Sequence, residues 1–110
     1  MARPVKGDVV VVPFPFSDLT QAKRRPALVL AELEGDDLIL CQITSRAVSD
    51  GYAVSLSDRD FAQGGLRLES YIRPNRLFTA DSAIVLYRVG SLARTKLTEV
   101  VDRVVSILRT

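Results

Sequence analysis

The sequence predicts a mainly β fold with one C-terminal helix, in which a small twisted antiparallel sheet closes on itself. Three observations carry this expectation. Short apolar and β-branched runs recur between turn signals, at Val9–Val12, 27–33, 38–44, Tyr52–Leu56, 66–77 and 83–89. The two central runs are apolar almost without alternation, so both of their faces are covered. Helical period is clear only in the last segment, where Leu97, Val100, Val101, Val104, Val105 and Leu108 form a stripe. Many short strands and one amphipathic helix suit a curled sheet with the helix packed across it.

Each element has its own local reasons. Gly7-Asp8 leads into the buried strand Val9–Val12, and Pro13 and Pro15 then end its ladder pairing. From Pro13 to Arg25 no period is visible, and about a dozen such residues in a compact domain form a functional or mobile loop. The next two runs make a hairpin. With Gly35-Asp36 as a two-residue turn, Glu34 faces Asp37, Ala27 faces Thr44 and Arg25 faces Arg46. After the short strand Tyr52–Leu56, Ser57 caps a single helical turn whose first residues are acidic. Gly64-Gly65 breaks the chain before Leu66–Leu77, in which Pro74 belongs at an edge, a bulge or a strand end. Ala83–Val89 is the last strand, and the helix starts near Thr95, with Arg103 and Arg109 off its apolar stripe. Its valines are modest helix formers, so burial must hold it.

The 110 residues fit one domain, 1–110. With 15 Lys+Arg against 13 Asp+Glu the charge is +2, but the cations cluster at Lys23-Arg24-Arg25 and at Arg67, Arg73 and Arg76. There is no histidine and one cysteine, Cys41, set in an apolar run. The usual zinc sets and serine-histidine or cysteine-histidine pairs therefore cannot be assembled within the chain, and the thiol reads as buried packing. This suits a reducing cytosol. No apolar stretch of signal-peptide length precedes Asp8, and no window approaches the roughly 18 to 20 apolar residues of a membrane span, so a soluble cytoplasmic protein is expected. Walker and GxGxxG loops are missing. No metal and no cofactor is expected, and any chemistry falls to Arg, Lys, Asp, Glu, Ser, Thr or Tyr.

The central hairpin brings Arg25 and the hydroxyls of Thr44 and Ser45 to one end. A guanidinium forks onto phosphate oxygens and short hydroxyls add hydrogen bonds, so this is a candidate phosphate site. The plain alternative is an ordinary strand start beside an ordinary strand end, with Thr44 and Ser45 bonding their own backbone. In the preceding loop, Phe14 and Phe16 interleave with Lys23 and Arg24, the stacking faces and charges that a single-stranded nucleic acid requires. The phenylalanines can equally pin the loop to the core, Phe14 above all. Arg73 and Arg76 read as further cations for the same ligand or as a solvated edge. Asp8 orders the first strand or pairs with a cation, and Asp58 and Asp81 read as turn or cap residues.

Gly7-Asp8-Val9-Val10, Arg25-Pro26-Ala27-Leu28-Val29-Leu30, Gln42-Ile43-Thr44-Ser45, Ser70, Leu77-Phe78-Thr79-Ala80-Asp81 and Gly90-Ser91-Leu92 occur in an order that resembles the PemK/MazF family of growth-inhibiting toxins. The resemblance implies an SH3-like, plug-type barrel, a homodimer, and metal-independent, sequence-specific cleavage of single-stranded RNA. The products it implies are a 2′,3′-cyclic phosphate and a 5′-hydroxyl end. The implied protein partner is a cognate antitoxin whose disordered acidic tail blocks the RNA groove. It places catalysis on Arg25 and Thr44, and in one branch of the family an acid on the arginine that Arg73 matches; beside it, Ser45 reads as support for the pair and Phe16, Lys23, Arg24, Arg73, Asn75 and Arg76 read as RNA-binding residues. Ribose 2′-hydroxyl attack builds charge on the phosphate oxygens, and a fixed guanidinium with a hydroxyl stabilises that charge. The chain departs from the family in three places. Asn75 stands where one branch has an aspartate base, that branch's loop histidine is missing, and Phe78 replaces an arginine common in an Arg-Thr-Ile-Asp run. These departures motivate a second reading, a noncatalytic barrel that binds a partner protein or nucleic acid.

Overall fold

A computed structural model of the chain describes residues 3–15 and 22–110. In order the elements are β1 (Asp8–Pro15), β2 (Ala22–Glu32), β3 (Asp37–Thr44), β4 (Val54–Leu56), a 3-10 turn at Asp58–Asp60, β5 (Phe61–Gly64), β6 (Ser70–Asp81), a second 3-10 turn at Ser82–Ile84, β7 (Tyr87–Leu92) and α1 (Arg94–Arg109). Among the described residues the strands form one antiparallel sheet in the order β4-β6-β3-β2-β1-β7-β5.

That order forces the sheet to curl. Strands β4 and β5 are its two edges, yet only Ser57–Asp60 separates them along the chain. In a flat sheet, six interstrand spacings would put the edges about 29 Å apart. The link from Leu56 to Phe61 reaches roughly 18 Å at full extension. The edges must therefore bend toward each other, as expected from the pattern of short strands. Ser57 stands at the N-cap of the linking turn as its sequence suggests, and its amide donates to Asp60 Oδ2 at 2.8 Å.

The curled sheet has a core on each face. Val9, Leu28, Leu30, Cys41, Ile43, Ile72 and Leu92 pack with Val100 of α1, joined by Leu97, Val101 and Val104. On the other face Val10, Val12, Ala27, Val29, Leu38 and Leu40 pack with Val85. Two covered faces explain the near-continuous apolar runs of β2 and β3. Cys41 is fully buried, and burial pushes its thiol up to about 12.

Several expectations are corrected. Proline does not end β1: Pro13 pairs with Arg24 and Pro15 with Ala22. Val11 O accepts from Leu86 N, so the odd positions of β1 face the β7 side, where pairing stops at Val11. The donors that Pro13 and Pro15 lack therefore cost no ladder bond. Lys23 and Arg24 accordingly belong to β2, and Phe16 lies outside the described residues. The hairpin turn is longer than two residues, because Leu33 N donates to Asp37 O. With a bulge between Val29 and Ala31, Ala27 faces Gln42 and not Thr44. Ser70–Asp81 is the strand expected over 66–77, and the last strand begins at Tyr87 after a 3-10 turn. β5 itself has no alternating apolar pattern, and its pairing with β7 defines it. Pro74 does sit at a bulge, since Cys41 pairs with Leu77 and Gln42 with Arg73. The helical stripe is buried only in part, because Val105 is 41% and Leu108 71% exposed.

Candidate active site

The shifted hairpin register aligns the cation and the hydroxyl more closely than the two-residue turn does. The pairing ends at Ala27 and Gln42, and its register continued by two residues points Arg25 toward Thr44, with which it lines both neighbouring clefts. Strand alternation puts Arg25, Ala27, Gln42 and Thr44 on one face, and Arg73 joins them because it pairs with Gln42.

Two clefts flank this pair. One, of about 440 Å³, is lined by Arg25, Gln42, Thr44, Asp50, Arg73 and Arg76 together with the 46–49 segment. The other, of about 350 Å³, shares Arg25 and Thr44 as a wall and adds Arg24, Ser45, Leu66, Leu68 and Tyr87. Both volumes fall within the range of about 300–1,000 Å³ in which small-ligand sites occur. The Thr44 hydroxyl accepts from the Arg46 amide at 3.2 Å, which orients it and leaves its own hydrogen to donate.

Asp50 enters the first cleft from the turn that follows β3. Its Oδ1 accepts from Tyr52 N at 3.0 Å, and its Oδ2 accepts from Arg73 Nη2 at 2.9 Å and Asn75 Nδ2 at 3.5 Å. The Tyr52 amide first, then the Arg73 guanidinium and the Asn75 amide, hold the Asp50 carboxyl below the ordinary carboxylate value. Behind the turn, Arg103 of α1 donates to Gly51 O at 3.3 Å and Tyr52 O at 3.1 Å. The bulge in β6 allows this meeting, because Pro74, Asn75 and Arg76 have no counterpart on β3 and are free to turn toward the cleft. Two buried polar atoms in the same cleft, Gln42 Oε1 and Arg73 Nε, have no hydrogen-bond partner among the described residues. Unmet groups of this kind cost roughly 1–3 kcal/mol each.

The structure thus gathers Arg25, Thr44, Arg73 and Arg76 around one cleft, while Asn75 meets it through Asp50. Ser45 and Arg24 line the second cleft. Lys23 is exposed and lines neither. Arg73 is not a solvated edge, since its side chain is 19% exposed and ion-paired to Asp50. Asp8 is buried and accepts from Val5 N at 2.9 Å and Arg88 Nε at 3.0 Å, the ordering role its position suggests. Asp50, Gln42 and Arg46 are cleft residues that sequence reasoning passes over. For Asp50 the only local signal is Ser49-Asp50-Gly51, a turn pattern that says nothing of a distant arginine. Among the described residues no three His, Cys, Asp or Glu side chains converge as a metal site needs.

The sequence profile of the PemK-like, MazF-like toxins of type II toxin-antitoxin systems matches residues 5–108. The chain belongs to this toxin family. Its fold is that of MazF from Deinococcus radiodurans, at 23% identity over 100% of both chains with a TM-score of 0.78. It is also that of a mycobacterial endoribonuclease bound to its cognate antitoxin, at 13% identity and a TM-score of 0.76 over 96% of this chain and 95% of the other. Toxin MazF-mt6 of Mycobacterium tuberculosis is 14% identical with a TM-score of 0.71, over 93% of this chain and 96% of that one. At these identities the likeness establishes the fold. No curated protein matches the chain. One departure from the PemK/MazF pattern has a structural reason: Phe78 packs edge-on against Phe14, with ring centroids 4.7 Å apart and planes at 78°. Both rings belong to the second core and line neither cleft.

Proposed function

We propose that this toxin-family chain is an endoribonuclease that cuts single-stranded RNA at a preferred sequence, without a metal ion, by 2′-hydroxyl attack. It acts as one domain in a cytoplasmic homodimer and is silenced by a cognate antitoxin with an acidic tail. The observation that carries this reading is that Arg25 and Thr44 together line both of two adjoining clefts and so form the wall between them. A phosphodiester seated on that wall has a nucleotide to either side, one toward each cleft. As the 2′-oxygen approaches phosphorus, negative charge grows on the equatorial oxygens, and Arg25 stabilises it more than it stabilises the starting ester. Thr44 donates a positioning hydrogen bond, and Ser45 supports the neighbouring nucleotide. A guanidinium remains protonated in proteins, so Arg25 acts by charge.

Arg24, Arg73, Arg76, Asn75 and Lys23, with Phe16 beyond the described residues, extend the RNA-binding surface. Four arginines, Arg25, Arg46, Arg73 and Arg76, face one carboxylate in the polar cleft, which suits an RNA backbone and equally an acidic antitoxin tail. Structures of MazE-MazF complexes from Deinococcus radiodurans support the second partner. Leu77 and Leu86, which line neither cleft, are exposed apolar side chains of the kind a second copy covers. No helix among the described residues is long and apolar enough to cross a membrane.

The test is cleavage of a long mixed-sequence RNA between pH 6 and 9, with and without a chelator, with the ends mapped. Cyclic phosphate ends at a recurring sequence are expected in both conditions. Arg25→Ala lowers kcat by about 10²–10³ with an unchanged melting temperature. An intact RNA under all these conditions, with RNA or partner binding retained, establishes the noncatalytic barrel instead.

A further inference from the structure

We infer that Asp50 takes the proton from the attacking 2′-hydroxyl, which makes it a catalytic residue; the inference rests on the RNA-cleaving reading above. The chemistry needs a proton acceptor, and the cleft is poor in them. Its charged lining is otherwise guanidinium groups, which only donate, and the amide of Gln42 and hydroxyl of Thr44 are not bases at neutral pH. Among the described residues that line it, Asp50 is the one carboxylate.

Its geometry fits the task. Arg73 pairs with Gln42, which sets it diagonally across from Thr44 on the neighbouring strand and on the same face, a separation of about 7–8 Å. Asp50 is joined to Arg73 and lines the same cleft as Arg25 and Thr44, so its carboxylate opens on the space in which a phosphate held by that pair carries its ribose. The side chain is 27% exposed, which leaves it open to the cleft. A carboxylate has about four acceptor positions, and the bonds from Tyr52 N, Arg73 and Asn75 leave one on Oδ1. The turn is fixed by Arg103 from behind, so the acceptor is held in position before substrate arrives.

In the step itself, the O2′–H bond breaks toward an Asp50 oxygen as the O2′–P bond forms. The P–O5′ bond breaks, O5′ takes a proton from water, and Asp50 returns its proton to the hydroxide left behind. The charged groups that face Asp50 are the guanidinium groups of Arg25, Arg46, Arg73 and Arg76 around the cleft, with Arg103 of α1 on the turn. Guanidinium groups stay protonated from pH 5 to 9. The Asp50 carboxyl, held below its ordinary value, is ionised throughout that range. A rate carried by Asp50 is therefore level across these pH values, whereas a rate carried by hydroxide climbs tenfold per unit.

The experiment measures single-turnover cleavage of one unstructured RNA from pH 5 to 9 by the parent, Asp50→Asn and Asp50→Glu proteins. Affinity for the 2′-O-methyl form of the same RNA and the melting temperatures are measured alongside. The parent is expected to give a level profile. Asp50→Asn loses about 10²-fold or more at pH 7 and acquires the tenfold slope, and Asp50→Glu recovers part of the rate. A role confined to neutralising Arg73 moves the affinity and the melting temperature but leaves the slope level, and that result overturns the inference. So does an Asp50→Asn protein with the parent's rate, or a parent profile that itself climbs tenfold per unit. A parent that cleaves no RNA overturns the nuclease reading and this inference with it, whereas the other outcomes leave that reading standing.

Discussion

Val100 and Val105 both belong to the apolar stripe of α1 and read alike in sequence, yet alanine at the two positions should have different consequences. Val100 has no exposed surface and packs into the core beneath the helix. Truncation removes two methyl groups, and at about 0.8 kcal/mol each the lost transfer energy is about 1.6 kcal/mol. A residual cavity of roughly 40 Å³ at about 24 cal/mol per Å³ adds about 1 kcal/mol. The better helix propensity of alanine offsets about 0.6 kcal/mol, leaving a net loss of about 2 kcal/mol. Val105 is 41% exposed, so its transfer loss is about half as large and no closed cavity forms. The propensity gain nearly cancels that loss, and the net change stays within about 0.5 kcal/mol. Urea denaturation at equal slope measures both values, and in thermal melts Val100→Ala falls by about 8 °C. Equal losses at the two positions would refute the reasoning, because Val105 would then be as fully covered in solution as Val100.

Two other predictions concern the sheet. A Cβ at Gly90 would lie 2.3 Å from Gln63 O and 3.1 Å from Gly64 Cα, both backbone atoms of the edge strand β5. Gly90→Ala must push β5 off β7, with a loss of about 2 kcal/mol or more, read by denaturation and by faster proteolysis within 57–66; parent-like values for both would contradict the close approach. Cys41 keeps its proton in the fold until about 12, against an ordinary value of 9.0 that the unfolded chain retains. Its contribution is therefore fully present below pH 9 and is lost as pH rises toward 12, by about 1.4 kcal/mol per unit relative to Cys41→Ala. Parallel stability curves for the two proteins over that window would show that the thiol ionises equally well in both states.

Much of the architecture is legible in the chain because it has local causes. Apolar runs without alternation announce strands with two covered faces, Ser57 followed by acids announces a capped turn, and Pro74 announces a bulge. The lack of histidine confines the chemistry to other side chains, and Arg25 with Thr44 is recognisable as a candidate pair from hairpin counting. The same reasoning misplaces the ends of β1 and the register of β2 on β3. Both depend on a neighbour: prolines are tolerated in β1 because β7 stops short, and the bulge near Leu30 resets a count that begins at the turn.

What the sequence by itself determined is thus the fold class, the two-faced core, the buried thiol and the cation and hydroxyl at one end of the central hairpin. The tertiary structure alone decided which partners these groups meet. Asp50 and Arg73 are 23 positions apart, and Asp50 carries only a turn's signature, so nothing local links them. Their contact exists because pairing with Gln42 fixes Arg73 on β6 while Arg103 holds the turn that carries Asp50. Likewise the buried face of α1 is turned relative to the apolar stripe: Val100, Val104 and Ile107 are covered to differing degrees, whereas Val105 and Leu108 at the other edge are exposed, and only the packing of the helix on the sheet decides this. Periodicity reports which face of an element is apolar, whereas the depth of burial and the long-range ion pairs follow from how the elements pack.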